Sequence, residues 1–445
     1  MIFMRKNGRV SMRTFTRGGR PAGSGPHGDG GRSRDGRLLN RGKMAAKAGQ
    51  WAPVFFTAAG LISLALLSCS RSLIYLQATS LQAGGSHTCA TIIDGTFKCW
   101  GDNAYGQLGQ GDTVNRGDKA GEMGGHLPAI DVGAHRTVGL SVLGGAHTCA
   151  LLDDQTVKCW GDNTYGQLGQ GDTANRGDQQ GEMGDNLPAI DLGTDSNGKA
   201  LLAEAVAAGA YHTCALLFDK TAAVYLVKCW GRNDAGQLGQ EDTVNRGDQP
   251  GQMGDNLAGI DLGTGRTAID LAAGQSHTCA LFSDQTIKCW GDNTDGELGQ
   301  GDAVDRGDAP GTMSNNLPII ELGLGRTAQT VTAGGSTTCA LLDNGSVKCW
   351  GNNSNGQLGL GDTTNRGDQP GQMGDNLPAI DLGTELTAVV VETALYHTCA
   401  LLSDQRVKCW GQNDVGQLGQ GDTEQRGDAP KEMGNALLSI NLGTT

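Results

Sequence analysis

Residues 277–291 read His-Thr-Cys-Ala-Leu-Phe-Ser-Asp-Gln-Thr-Ile-Lys-Cys-Trp-Gly, and variants of this pattern occur six times in the 445-residue chain. Thr-Cys-Ala followed by Lys-Cys-Trp-Gly pairs Cys89 with Cys99, Cys149 with Cys159, Cys214 with Cys229, Cys279 with Cys289, Cys339 with Cys349 and Cys399 with Cys409. Their first cysteines lie 60, 65, 65, 60 and 60 residues apart. Such a period points to an array or ring of similar units rather than one aperiodic core. In the fourth unit two apolar alternations precede the cysteine pattern, at 257–263 and 267–273, and two lie within it, at 277–282 and 286–290. Four short strands per unit, joined by Gly/Asp turns, describe a blade of a β-propeller.

The turn inside the pattern fixes a register. In the fifth unit it is Asp343-Asn344-Gly345, a three-residue connection that suits Gly in the left-handed conformation. Pairing across it sets 341 opposite 347, 340 opposite 348 and 339 opposite 349, so the two cysteines face each other within disulfide reach. A disulfide in every hairpin is the expectation, with reduced buried thiols or a shared metal site as the alternatives. The third unit spaces its cysteines by 15 because 220–225 lengthens the hairpin.

Only 4% of the residues are aromatic while 73 are glycine, which favours an all-β chain of short strands and tight turns. The net charge of -13 hides two unlike regions. Residues 1–69 carry 12 Lys/Arg against 2 Asp/Glu, leaving 22 against 45 in the remainder. So acidic a body repels phosphate backbones, and nucleic acid is not an expected partner. From Met44 the chain has the anatomy of a secretory signal: Lys47, an apolar run from about Ala52 to Leu67, then Ser68 before Cys69. Leu66-Leu67-Ser68-Cys69 resembles the lipobox of bacterial lipoproteins, which implies that Cys69 carries the lipid. Cys69 is also the odd cysteine of 13. The expected organisation is a basic disordered leader or mis-assigned start at 1–43, a signal peptide at 44–68, a linker at 69–77 and the six-repeat propeller at 78–445.

Counting strands suggests how the propeller closes. Later units open 20 residues before their His-Thr-Cys, as Leu257 precedes His277, but that offset before His87 falls on Leu67. The first blade thus lacks an opening strand, and 437–443 is left over at the other end. The expectation is six four-stranded antiparallel blades, with 437–443 pairing beside 78–83 to close the ring.

Ala273-Gly-Gln-Ser-His277-Thr278, and Cys159 to Gly169 as Cys-Trp-Gly-Asp-Asn-Thr-Tyr-Gly-Gln-Leu-Gly, resemble the regulator of chromosome condensation repeat family. The resemblance spans 78–445 and implies a β-propeller, best known with seven blades, so seven is the alternative count. It also implies roles ranging from guanine nucleotide exchange to chromatin binding, ubiquitin ligation and light sensing. The doubled cysteines and the count of six depart from that family, and no exchange-type wedge is matched residue by residue.

Several candidate sites follow the repeat. Trp100, Trp160, Trp230, Trp290, Trp350 and Trp410 occupy one position per unit and read as core rather than as a light-absorbing cluster. Arg-Gly-Asp recurs at Arg116, Arg176, Arg246, Arg306, Arg366 and Arg426, where an internal salt bridge or turn competes with receptor adhesion. Asp172, Asp178, Asp185 and Asp191 offer oxygens to calcium but lack an EF-hand spacing, so a solvated acidic face is expected and no metal is assigned. His87, His147, His212, His277 and His397 form a set that Thr337 interrupts, which favours structural histidines. No nucleophile with its base, no phosphate loop and no single polar residue stands out from the repeat symmetry, so neither catalysis nor a cofactor is expected. The resulting expectation is a monomeric, lipid-anchored, non-enzymatic scaffold at a bacterial cell envelope, outer membrane or cell surface, with a secreted protein as alternative. Its membrane contact is the lipid alone, and its partner is a protein or glycan on the propeller loops. An exchange factor-like regulator is the rival reading.

Overall fold

The computed structural model describes residues 77–443, and apart from them one antiparallel pairing of Arg5–Lys6 with Arg9–Val10. That pairing aside, the expectations for the leader, the signal peptide, Cys69 and the linker up to residue 76 lie outside the described residues.

In the fourth unit Ala268–Ala273, His277–Phe282 and Ile287–Gly291 form an antiparallel sheet in chain order. Strand alternation gives this sheet two buried faces. Cys279, Leu281, Ile287 and Cys289 pack against Ala340, Leu342 and Trp350 of the next sheet, whereas Ala280, Phe282 and Trp290 pack against Cys214, Leu216 and Val227 of the previous one. The core therefore lies between sheets, as seams, and each sheet contributes alternate side chains to two of them. Six such three-stranded sheets follow one another from Ala78–Ala83 to Val407–Gly411. Main-chain bonds also link the turns after the first strands of successive sheets: Gly85 N donates to Gly144 O, Gly145 N to Ala210 O, Ala210 N to Gln275 O, and Gln275 N to Gly335 O.

The hairpin register is the one expected from Asp343-Asn344-Gly345. Leu341 faces Val347, Ala340 faces Lys348 and Cys339 faces Cys349, with Gly345 at φ 78°. Every hairpin carries a disulfide at a Cα separation of 4.1 Å. The bonds join Cys89 to Cys99, Cys149 to Cys159, Cys214 to Cys229, Cys279 to Cys289, Cys339 to Cys349, and Cys399 to Cys409. In the longer third hairpin the ladder continues through Phe218–Tyr225 and Asp219–Val224, which keeps Cys214 and Cys229 in register.

Two expectations about strands are corrected. The segment 257–263 does not open the fourth sheet: Ile260 N donates to Val227 O, so it flanks the third strand of the sheet before it. Equivalent single bonds run from Ile130 to Phe97, Ile190 to Val157, Ile320 to Ile287, Ile380 to Val347 and Ile440 to Val407. Each sheet thus has three strands and a flanking segment held by one ladder-type bond. In four copies a proline two residues earlier, such as Pro128 or Pro318, removes the neighbouring donor on that edge. The second correction follows from the first. The segment 437–443 completes the sixth sheet beside Val407, and does not pair with Ala78–Ala83. In this frame each of the six units among the described residues has its own three strands and flanking segment.

Candidate functional site

One set of contacts builds every seam. Thr278 Oγ1 and Trp290 Nε1 both donate to the carbonyl of Gln237 in the preceding sheet, at 3.0 and 3.1 Å. Thr148 and Trp160 do so to Gln107, Thr213 and Trp230 to Gln167, Thr338 and Trp350 to Glu297, and Thr398 and Trp410 to Gln357. Since each threonine hydroxyl gives its hydrogen to a carbonyl, a histidine nitrogen beside it must donate. His87, His147, His212 and His277 do this through Nε2, at 2.8, 3.0, 2.9 and 2.8 Å from the threonine of the next sheet. Their tautomer is therefore fixed, and burial pushes their pKa values down to about 4, 4, 3 and 4. In the fifth sheet Thr337 instead donates to Asn352 O within its own sheet. These four histidines and five tryptophans are thus seam fasteners.

Lysines of the Lys-Cys-Trp-Gly motif are part of the same device. Nζ of Lys158, Lys228, Lys288, Lys348 and Lys408 each donates to two carbonyls, one from the flanking segment of the preceding sheet and one from its own loop. Sequence reasoning saw the motif but not this role, because an ammonium ion is normally a surface group.

The long loops are fastened internally. Arg176 Nη2 lies 2.6 Å from Asp172 Oδ2, and the five other Arg-Gly-Asp arginines hold the aspartate four residues earlier at 2.6 to 2.8 Å. The tripeptide glycine and aspartate press on the preceding sheet: a Cβ on Gly177 would stand 2.8 Å from Gly106 O. The tripeptide arginine is committed to the fold through this internal salt bridge. The loop carboxylates serve as turn acceptors. Asp172 takes the amide of Ala174, Asp185 that of Ala134 across a seam, and Asp191 that of Gly193. Asp178 has one buried carboxylate oxygen without a partner.

Departures from the repeat are then the informative positions, and two were missed in the sequence. At the loop end of the second and third sheets the Tyr165 and Tyr211 rings meet edge to face at 5.4 Å, with the Arg232 guanidinium 5.3 and 5.8 Å from their centroids and paired to Asp234. This cluster is half-exposed, with aromatic area and directed donors in one place, the chemistry that dominates protein interfaces. The second departure is Glu297, buried where the other units carry glutamine. It contradicts the expectation that no polar residue breaks the symmetry; Gly-Glu-Leu-Gly at 296–299 in place of Gly-Gln-Leu-Gly was the signal.

The terminal sheets carry half-seams. Trp100 and Thr88 are only half-buried, and a Cβ on Gly124 would meet nothing within 4 Å. At the other end Gly419 is exposed and faces only Ile440, whereas Gly359 lies against Trp410 Nε1.

Known proteins are similar to this chain. Models of the regulator of chromosome condensation (RCC1) repeat match residues 78–107, 142–167, 204–237, 268–297, 329–357 and 395–417, and in a longer form 156–216, 227–281 and 344–401. The ultraviolet-B receptor UVR8 of Arabidopsis thaliana is 28% identical over 348 residues, 77% of this chain and 67% of that protein. The probable E3 ubiquitin-protein ligase HERC6 of Homo sapiens is 29% identical over 312 residues, 68% of this chain but only 26% of the ligase. Among solved structures, Prp20p of Saccharomyces cerevisiae, described with its binding to Gsp1p and histones, superimposes at a TM-score of 0.54 and 18% identity, covering 82% of this chain and 77% of that one. With the repeat matched along the chain and six sheets seamed in the same frame, the protein belongs to the regulator of chromosome condensation repeat family.

Proposed function

We propose that this propeller is an exported, non-enzymatic scaffold, anchored through a lipid on Cys69, whose loop face binds a protein or glycan. The carrying observation is that repeat positions are consumed by seams and turns, while Arg232 departs from the repeat and joins Tyr165 and Tyr211 in a half-exposed aromatic and cationic cluster. A protein partner has the better support, since the yeast relative is described with protein ligands. Export is supported by the six disulfides, a state of cysteine that persists in oxidising compartments. We also infer that the half-seams of the first and sixth sheets mate to close the ring. Both ends keep the fastening residues, Thr88 and Trp100 on one side and His397 and the Gln417 carbonyl on the other.

Metabolic labelling with a clickable fatty acid in a bacterial host tests the anchor. Label should enter the native chain and be lost with Cys69→Ser, which should also release the protein from membranes. A chain that stays unlabelled and soluble in the cytosol with reduced cysteines would favour the regulatory reading instead.

A further inference from the structure

In five units a glutamine side chain closes the loop above the seam. Its Oε1 accepts the amide of Tyr105, Tyr165, Ala235, Asn355 or Val415, and its Nε2 donates to Asp102, Asp162, Asp234, Asn352 or Asp414. In the fourth unit Glu297, 1% exposed, takes that place. Its Oε2 accepts the Asp295 amide at 2.8 Å. The other oxygen stands where the sister units have a donor, in the field of Asp292 and Asp295. An ionised carboxylate can only accept, so the donor role requires a proton on Glu297.

Among the described residues its surroundings hold anions and no partner cation. From its own loop come Asp292 and Asp295, with Asp305 in the field of Asp292 and Asp308, while Arg306 is engaged by Asp302. From the fifth sheet, the main chain of Arg366 and Asp368 closes over Gly296, and Arg366 is engaged by Asp362. His277, which senses Asp292, is buried and neutral. Burial, then Asp292 and Asp295, push the Glu297 carboxyl up to about 8. This loop also carries the seam. The Glu297 carbonyl accepts Thr338 Oγ1 at 2.9 Å and Trp350 Nε1 at 3.0 Å, and the Asp295 carboxylate accepts the amides of Asn352 and Asn365, both at 2.9 Å.

We propose that the seam between the fourth and fifth sheets is a proton-controlled latch, shut while Glu297 is a neutral acid and released when it ionises. An open seam lets the carboxyl ionise in water, so opening gains with every step of pH between its ordinary value and its value in the closed seam. Hydrogen exchange of the full chain from pH 6.5 to 8.5 tests this, and the freed histidines of the two compared seams, His277 and His147, cancel because both go from about 4 in the fold to 6.5. Amides around Thr338 and Trp350 are compared with those around Thr213 and Trp230, whose seam has Gln167. The latch predicts a relative gain of up to roughly tenfold per pH unit to about pH 8, then a plateau. Glu297→Gln, which restores the residue of five sister units, should abolish the gain, and Gln237→Glu should transfer it to the preceding seam. A wild-type profile parallel to the reference seam, or a gain that persists in Glu297→Gln, overturns the proposal even if the Gln237→Glu variant fails to fold.

Discussion

Each buried histidine of the seams is held neutral, Nε2 donating to a threonine and Nδ1 without a donor. His87, His147, His212 and His277 have folded pKa values of about 4, 4, 3 and 4, below the unfolded 6.5. Between those values the unfolded chain binds more protons, so stability falls as pH drops from 6.5 toward 4. Thermal melts across that window should show a steep loss, and His212→Gln should make it shallower, the other three histidines remaining; a melting temperature level from pH 7 to 4 would contradict these assignments. Glu297 has the opposite sign, removing stability as pH rises from the carboxylate range to about 8. The histidine set was legible because Thr337 interrupts it. The buried lysines were not, because nothing local tells that a motif ammonium will find two carbonyls from different segments.

Within a sheet, the cysteine hairpin was readable to the residue, because the turn at 343–345 and the two-residue alternation leave one register that pairs Cys339 with Cys349. The same register recurs at both ends of the chain, where Cys89 faces Cys99 and Cys399 faces Cys409. The flanking segments were not readable. Apolar alternation at 257–263 is real, but period alone cannot say whether a strand pairs forward or back, and a single Ile260 to Val227 bond decides it. Three hairpin turns place glutamine where a positive φ is needed, and Gln405 sits at φ 72°. Gln405→Gly should raise stability by about 0.5–1 kcal/mol, read as a shift of the denaturant midpoint. Replacing both Cys279 and Cys289 with serine should cost about 2–4 kcal/mol. An unchanged midpoint would mean that the hairpin is held by its ladder and packing alone.

Across the whole molecule, the repeat makes the seam the unit of stability, and six sheets provide five seams and two half-seams. Trp350→Phe removes a buried indole bond to Glu297 and should cost about 1–3 kcal/mol. If the terminal half-seams mate, Trp100→Phe should cost the same; a negligible loss would show that they stay apart. Regularity made the fold legible and kept the partner hidden, since the residues that recur are those that fasten sheets, and the departures at Arg232 and Glu297 show only against them. Export, disulfide bracing and lipidation meet in one quantity, the intact mass of the natively expressed protein. Reduction should add twelve hydrogens for the six disulfides, and the mature chain should begin at Cys69 with its acyl groups attached. A chain without lipid, whose mass does not change on reduction, would contradict it.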